Sequence, residues 1–95
     1  MPGDGVDLKL TLVFRALSDE TRQQIVWMLS EREMTAGEIA SMFVITKPSV
    51  SHHLAVLRNS RIVITRRNRQ HIVYSLNVGL IQECLARIAE RLRRA

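Results

Sequence analysis

Apolar residues near the start of the chain recur at helical spacing and break at polar pairs. Leu8, Leu10, Leu12, Val13, Phe14 and Leu17 occupy more than one helical stripe within residues 8–17. A helix apolar over so much of its circumference needs burial on two sides. Ser18 and Asp19 interrupt the pattern and supply an N-cap, because a short oxygen-bearing side chain accepts from an otherwise orphaned first-turn N–H. A second helix is predicted over about residues 20–29, with Ile25, Met28 and Leu29 on one face. Thr35-Ala36-Gly37-Glu38 has the form of a capping box and opens a short helix carrying Ile39, Ala40, Met42 and Phe43. Val44 and Ile45 make a tight connection, and Thr46 caps the next helix. Pro48 is tolerated in that helix's first turn, whose amides lack helical acceptors. Val50, Leu54 and Leu57, at i, i+4 and i+7, mark its buried side. Two short helices so joined, the second opening with small polar groups, make a helix-turn-helix.

The period then changes. Ile62, Val63, Ile64 and Thr65 are β-branched, and Ile72, Val73, Tyr74 and Ser75 read as a second strand. Arg66-Arg67-Asn68-Arg69-Gln70 between them has hairpin length, and without glycine Asn68 is the residue expected at positive φ. A strand hairpin directly after such a helix is a wing. Asn77 caps a final helix with Ile81, Cys84, Leu85, Ile88 and Leu92 in one stripe. The predicted class is mainly α with a small β-hairpin wing, a winged helix-turn-helix of order α-α-α-α-β-β-α. Residues 1–95 form one domain, with residues 1–6 expected as a flexible tail.

Charge sharpens the picture. Residues 39–82 hold Lys47, Arg58, Arg61, Arg66, Arg67 and Arg69 and no Asp or Glu, in a chain of net charge +5. A basic block inside a folded domain is suited to a polyanion, because each neutralised phosphate releases condensed counterions. A single cysteine, Cys84, excludes an intramolecular disulfide. The start lacks a basic segment followed by an apolar one, and the longest apolar run, residues 25–29, is too short to span a bilayer. A cytoplasmic protein without a membrane segment is expected.

Three stretches now carry a family likeness. Val13-Phe14-Arg15-Ala16-Leu17-Ser18-Asp19-Glu20-Thr21-Arg22 resembles the opening signature of ArsR-type winged-helix repressors. Ile45-Thr46-Lys47-Pro48-Ser49-Val50-Ser51-His52-His53-Leu54-Ala55-Val56-Leu57 is similar to that family's recognition helix. Ile72-Val73-Tyr74-Ser75-Leu76 resembles the return strand of its wing. The wing tip departs by lacking a glycine. The resemblance implies a homodimeric transcriptional repressor on a palindromic operator of double-stranded DNA, with steric repression and plausible autoregulation.

On a wheel of about 100° per residue, His52 lies opposite the Val50, Leu54 and Leu57 side, with Ser49 and Ser51 flanking it. Ser49, Ser51 and His52 are therefore expected to face the major groove, with Thr46 and Lys47 in the first turn. His53, at the border, is expected to be packed and hydrogen-bonded. Arg66, Arg67 and Arg69 crowd like charges at the hairpin, a repulsion that a phosphate backbone would relieve. Arg58 joins this DNA-binding set, while Arg61 stands evenly between phosphate contact and solvent. Residues 7–17 and 77–94 are expected to form dimerisation helices, through Leu8, Leu12, Ile81, Leu85, Ile88 and Leu92. Trp27 reads as a half-covered surface residue and Cys84 as a small core residue.

No metal or other cofactor is expected. The stretch matching the family's sensor motif reads Glu38-Ile39-Ala40-Ser41-Met42, without a thiol, and the last helix has no histidine. Ser51-His52 is no catalytic pair, because the side chains diverge and no acid in residues 39–82 could orient the imidazole. Two rival readings remain: a winged helix whose basic face binds an acidic protein, and a metal-responsive repressor. The operator, the target genes and any effector are not legible.

Overall fold

The computed structural model describes residues 7–95, so the expected tail at residues 1–6 lies outside the described residues. The first helix, α1 (Leu8–Ala16), begins at Asp7, whose carboxylate accepts from the Leu10 N–H at 3.2 Å. Its two apolar sides separate: Leu10, Val13 and Ala16 are buried, while Leu8, Leu12 and Phe14 stay exposed. Asp19 caps α2 (Glu20–Glu31), accepting from Arg22 N–H at 3.0 Å. Ile25 and Leu29 are its buried residues.

A short strand, β1 (Met34–Thr35), then precedes α3 (Ala36–Ala40). The capping box forms: Glu38 N–H donates to Thr35 Oγ1 at 3.1 Å, and Thr35 N–H donates to the Glu38 carboxylate at 2.9 Å. Thr46 caps α4 (Lys47–Asn59), with the proline in the first turn. Val50, Leu54 and Leu57 are buried on it as their spacing predicts. Together with Ile25, Ile39, Ile62 and Val63 they form the centre of the core. Each such side chain contributes roughly 1.5–3 kcal/mol by burial.

Strands β2 (Val63–Asn68) and β3 (His71–Leu76) pair antiparallel from Val63↔Leu76 to Asn68↔His71. Two expectations are corrected here. β1 pairs with β3 through Met34↔Tyr74 and Thr35↔Val73, so the wing is a three-stranded sheet of order β1-β3-β2, and the element order gains a strand before α3. Its two residues are too few to show an alternating pattern. The turn is also tighter than predicted. Arg66 and Arg67 lie within the ladder, opposite Val73 and Ile72, and the positive φ falls on Arg69 (60°) instead of Asn68. The ladder extends until only two residues must reverse the chain, and this moves the left-handed position one residue on.

Arg61 is the second non-glycine residue at positive φ, 67°. It follows the α4 C-cap Ser60 and donates its N–H to Arg58 O at 3.0 Å, closing the helix as a left-handed C-terminal residue. An L side chain there costs about 1 kcal/mol relative to glycine. Asn77 fastens this corner. Its N–H reaches Ile62 O at 2.8 Å, its side-chain amide donates to Arg61 O at 3.0 Å, and its Oδ1 accepts from Leu80 N–H at 3.3 Å. It thereby caps α5 (Val78–Arg94) while holding the end of α4.

The stripe predicted on α5 divides. Cys84 is buried as expected, beside Leu80, and Ile81 and Ile88 are partly buried against the core; Leu85 and Leu92 are 60% and 71% exposed. Arg87 bridges Asp7 at 2.7 Å and Glu83 at 2.8 Å, and Lys9 meets Glu83 at 2.9 Å, tying α5 to the start of α1.

Candidate nucleic-acid interface

The outer face of α4 presents Lys47, Ser49, Ser51 and His52, all exposed, opposite the buried Val50, Leu54 and Leu57. Thr46 organises its start. The Thr46 Oγ1 accepts from Ser49 N–H at 3.3 Å and lies 3.1 Å from Ser49 Oγ as a donor. With Ser49 Oγ accepting, its own proton is free to donate to a phosphate or a base edge. Ahead of this cap, Val44 is fully exposed and Ile45 is 41% exposed.

The adjacent histidines part company as the helix wheel requires. His52 points outward. His53 is packed inward, its side chain 16% exposed and its Nδ1 3.1 Å from Arg22 Nη1. Arginine only donates, so in this contact Nδ1 is the acceptor. Asp19, at 3.7 Å, is too far for a hydrogen bond to the ring. The Arg22 guanidinium is itself aimed by Ala16 O at 2.6 Å and Arg15 O at 3.2 Å. This clamp fixes α4 against the α1–α2 junction and gives a physical purpose to the Val13–Arg22 stretch singled out in the sequence.

The wing arginines are not equivalent. Arg66 forms a 2.6 Å ion pair with Glu33, so part of the like-charge crowding at the hairpin is relieved within the protein itself. Glu33 precedes β1, the strand whose presence the sequence did not reveal, and so its approach to the wing was hidden too. Arg67 and Arg69 are exposed and form no ion pair among the described residues, and the same holds for Lys47, Arg58 and Arg61.

Acidic groups near this surface are committed elsewhere. The Thr35 backbone N–H, with Arg32 beside it, holds the Glu38 carboxyl below its usual range. The Arg22 backbone N–H does the same for Asp19. Both stay ionised in local structural tasks. Burial pushes the Cys84 thiol up, which suits a packing residue and not a nucleophile. Trp27 is 69% exposed, more than the half-covered state expected, and borders an apolar groove of about 440 Å³ with Phe14, Leu17, Ile81, Leu85 and Ile88. No helix among the described residues is long and apolar enough to cross a membrane. Among those residues no group of three His, Cys, Asp or Glu is placed to hold a metal ion.

Known proteins resemble the chain in sequence and fold. The family described as "Bacterial regulatory protein, arsR family" matches residues 19–65, from the cap of α2 into the wing. The transcriptional repressor SdpR of Bacillus subtilis (strain 168) is 45% identical over 73 residues, covering 77% of this chain and 81% of that protein. The HTH-type transcriptional regulator KmtR of Mycobacterium tuberculosis is 47% identical over 76 residues, covering 80% of this chain and 58% of that protein. Among solved structures, an ArsR-like transcriptional regulator from Rhodococcus sp. RHA1 superposes with a TM-score of 0.80 at 28% identity, covering 90% of this chain and 80% of that one. These relatives are transcription regulators and not enzymes. The chain belongs to the arsR family of bacterial regulatory proteins and is a DNA-binding regulator of the winged helix-turn-helix type.

Proposed function

We propose that the protein represses transcription as a homodimer that occupies a pseudo-palindromic operator. The observation that carries this reading is the outer face of α4: Ser49, Ser51 and His52 exposed together, with Lys47 beside them and Arg67 and Arg69 on the wing, all without a carboxylate partner among the described residues. Hydroxyls and an imidazole there suit base edges in the major groove, while the arginines suit flanking phosphates. Two such helices spaced about 34–36 Å apart would enter successive major grooves.

The dimer seam falls to α1 and α5. Leu8, Leu12, Leu85 and Leu92 are 72%, 46%, 60% and 71% exposed, a large apolar surface for so small a chain. Ile81 and Ile88 contribute less to a seam than their stripe suggests, because they partly pack on the protomer's own core. Repression follows by excluding polymerase from the occupied site. The relative SdpR bears the name of a repressor, which supports this sign of regulation.

The test is a selection of genomic fragments with the purified protein, followed by binding of the best hit across a salt series. Enrichment of one short palindrome, with affinity that falls as salt rises, is expected. Uniform binding without enrichment would sink the operator reading, and Leu85→Glu with Leu92→Glu should shift the protein from dimer to monomer by light scattering. A dimer unaffected by that double substitution would place the seam elsewhere.

A further inference from the structure

Between the last turn of α4 and the base of β2 lies an open cleft of about 380 Å³, lined by Arg58, Asn59, Arg61, Val63, Ile64 and Thr65. Among the described residues no carboxylate lines it. Among the described residues, neither the Arg58 nor the Arg61 guanidinium has a hydrogen bond or an ion pair within the protein. Two free forks of N–H donors, joined by an amide and a hydroxyl, are the groups that recognise a phosphate oxyanion.

The backbone supplies a second, independent observation. Arg61 is held at φ 67°, where glycine is unstrained and an L side chain is not. The turn from α4 into β2 uses only its backbone: the N–H goes to Arg58 O and the carbonyl takes the Asn77 amide. Nothing in the turn requires a side chain, yet a long cationic one is present against the local strain. Strain of this kind points to a use outside the backbone. Position agrees. Arg58 lies seven residues beyond Ser51, on the same side of the helix and about 10.5 Å along it, close to the ~12 Å width of a major groove. With Ser51 at base edges, the cleft reaches the border where the sugar-phosphate chain runs.

We propose that this cleft is a phosphate-binding site, in which Arg58 and Arg61 grip one oxyanion while Asn59 and Thr65 add neutral donors. The phosphate is a diester of the DNA backbone or a free phosphate group. The first source rests on the reading of α4 as the DNA-contacting helix, and the second does not.

The decisive variant is Arg61→Gly in the full chain. It removes the guanidinium and relieves the positive φ, so its melting temperature should rise and any lost binding cannot be unfolding. Two measurements accompany it. One is the slope of log affinity against log salt on a DNA duplex; the other is a ¹⁵N NMR titration of the protein alone with inorganic phosphate at matched ionic strength. A slope reduced, by up to about 0.9, with base preference unchanged, assigns the site to a backbone phosphate. An unchanged slope, with saturable shifts at the amides of Asn59, Arg61 and Thr65 that vanish in Arg61→Gly, assigns it to free phosphate. An unchanged slope together with no saturable shift overturns the proposal. Should the protein bind no DNA at all, the operator reading fails, and the phosphate titration still decides the cleft.

Discussion

Neutralising the wing arginines one at a time should give unequal results. Arg67 and Arg69 have no carboxylate partner among the described residues, whereas Arg66 lies 2.6 Å from Glu33. Three phosphate contacts would contribute about 2.7 to the log–log salt slope, at about 0.9 each. With Arg66 occupied by Glu33, the wing would contribute about 1.8. The pair is nevertheless open to exchange: its side chains are 54% and 51% exposed, and exposed pairs of this kind contribute roughly 0–1 kcal/mol. Glu33→Gln should therefore release Arg66 to the DNA, raising the slope toward about 2.7 and affinity by up to about fivefold. The assay is fluorescence anisotropy with a labelled operator duplex between about 50 and 200 mM salt, where one phosphate contact corresponds to about 3.5-fold in affinity. Arg67→Gln and Arg69→Gln should each lower the slope by about 0.9, and Arg66→Gln by clearly less. The double variant Glu33→Gln/Arg66→Gln should match Arg66→Gln alone, which separates release of Arg66 from a general gain on removing a negative charge. Equal losses at all three arginines, with no gain from Glu33→Gln, would refute the reasoning.

Three further outcomes are expected. Asn77→Ala removes the α5 cap and the bond to Arg61 O, and should cost about 2 kcal/mol by urea denaturation; Asn77→Asp keeps the capping oxygen and should cost about half, so equal losses would dismiss the double role. Leu57→Ala opens the centre of the core beneath the recognition helix and should cost about 2–5 kcal/mol, a loss under about 1 kcal/mol marking a core that collapses around the gap. The Asp7, Asp19, Glu38 and Glu83 carboxyls are all held below their usual range, first by Arg87, by Arg22 N–H, by Thr35 N–H and by Lys9 respectively. Depressed folded-state values stabilise the protein above the unfolded carboxylate pKa of about 4 and lose that contribution as pH falls through and below it. The melting temperature should thus hold from neutrality to about pH 5 and drop below about pH 4; a flat profile across that window would count against these contacts.

Much of the framework of the candidate site is legible in the sequence. The capping box at Thr35 and Glu38, the cap at Thr46 and the buried Val50, Leu54 and Leu57 are local patterns, each set within a turn or two of helix. The opposite orientations of His52 and His53 follow from helical periodicity alone, though their partners do not. Legibility ended where residues distant in sequence meet. The strand at Met34 and Thr35 exists because β3 offers it an edge, and that edge brings Glu33 within reach of Arg66. A stripe on α5 could be read, but which of its members face the core depended on how α1 lies against it.

Local physics therefore determined the order of helices, their caps, the outward face of α4 and the surplus of positive charge, because all of these act over a few bonds or by simple summation. Tertiary structure decided which arginines pair with carboxylates among the described residues, where the chain tolerates a left-handed residue, and how Arg58 and Arg61 come to border one cleft. Pairing of charges and closure of turns depend on the approach of segments separated by dozens of residues, and that approach is set only when the core packs.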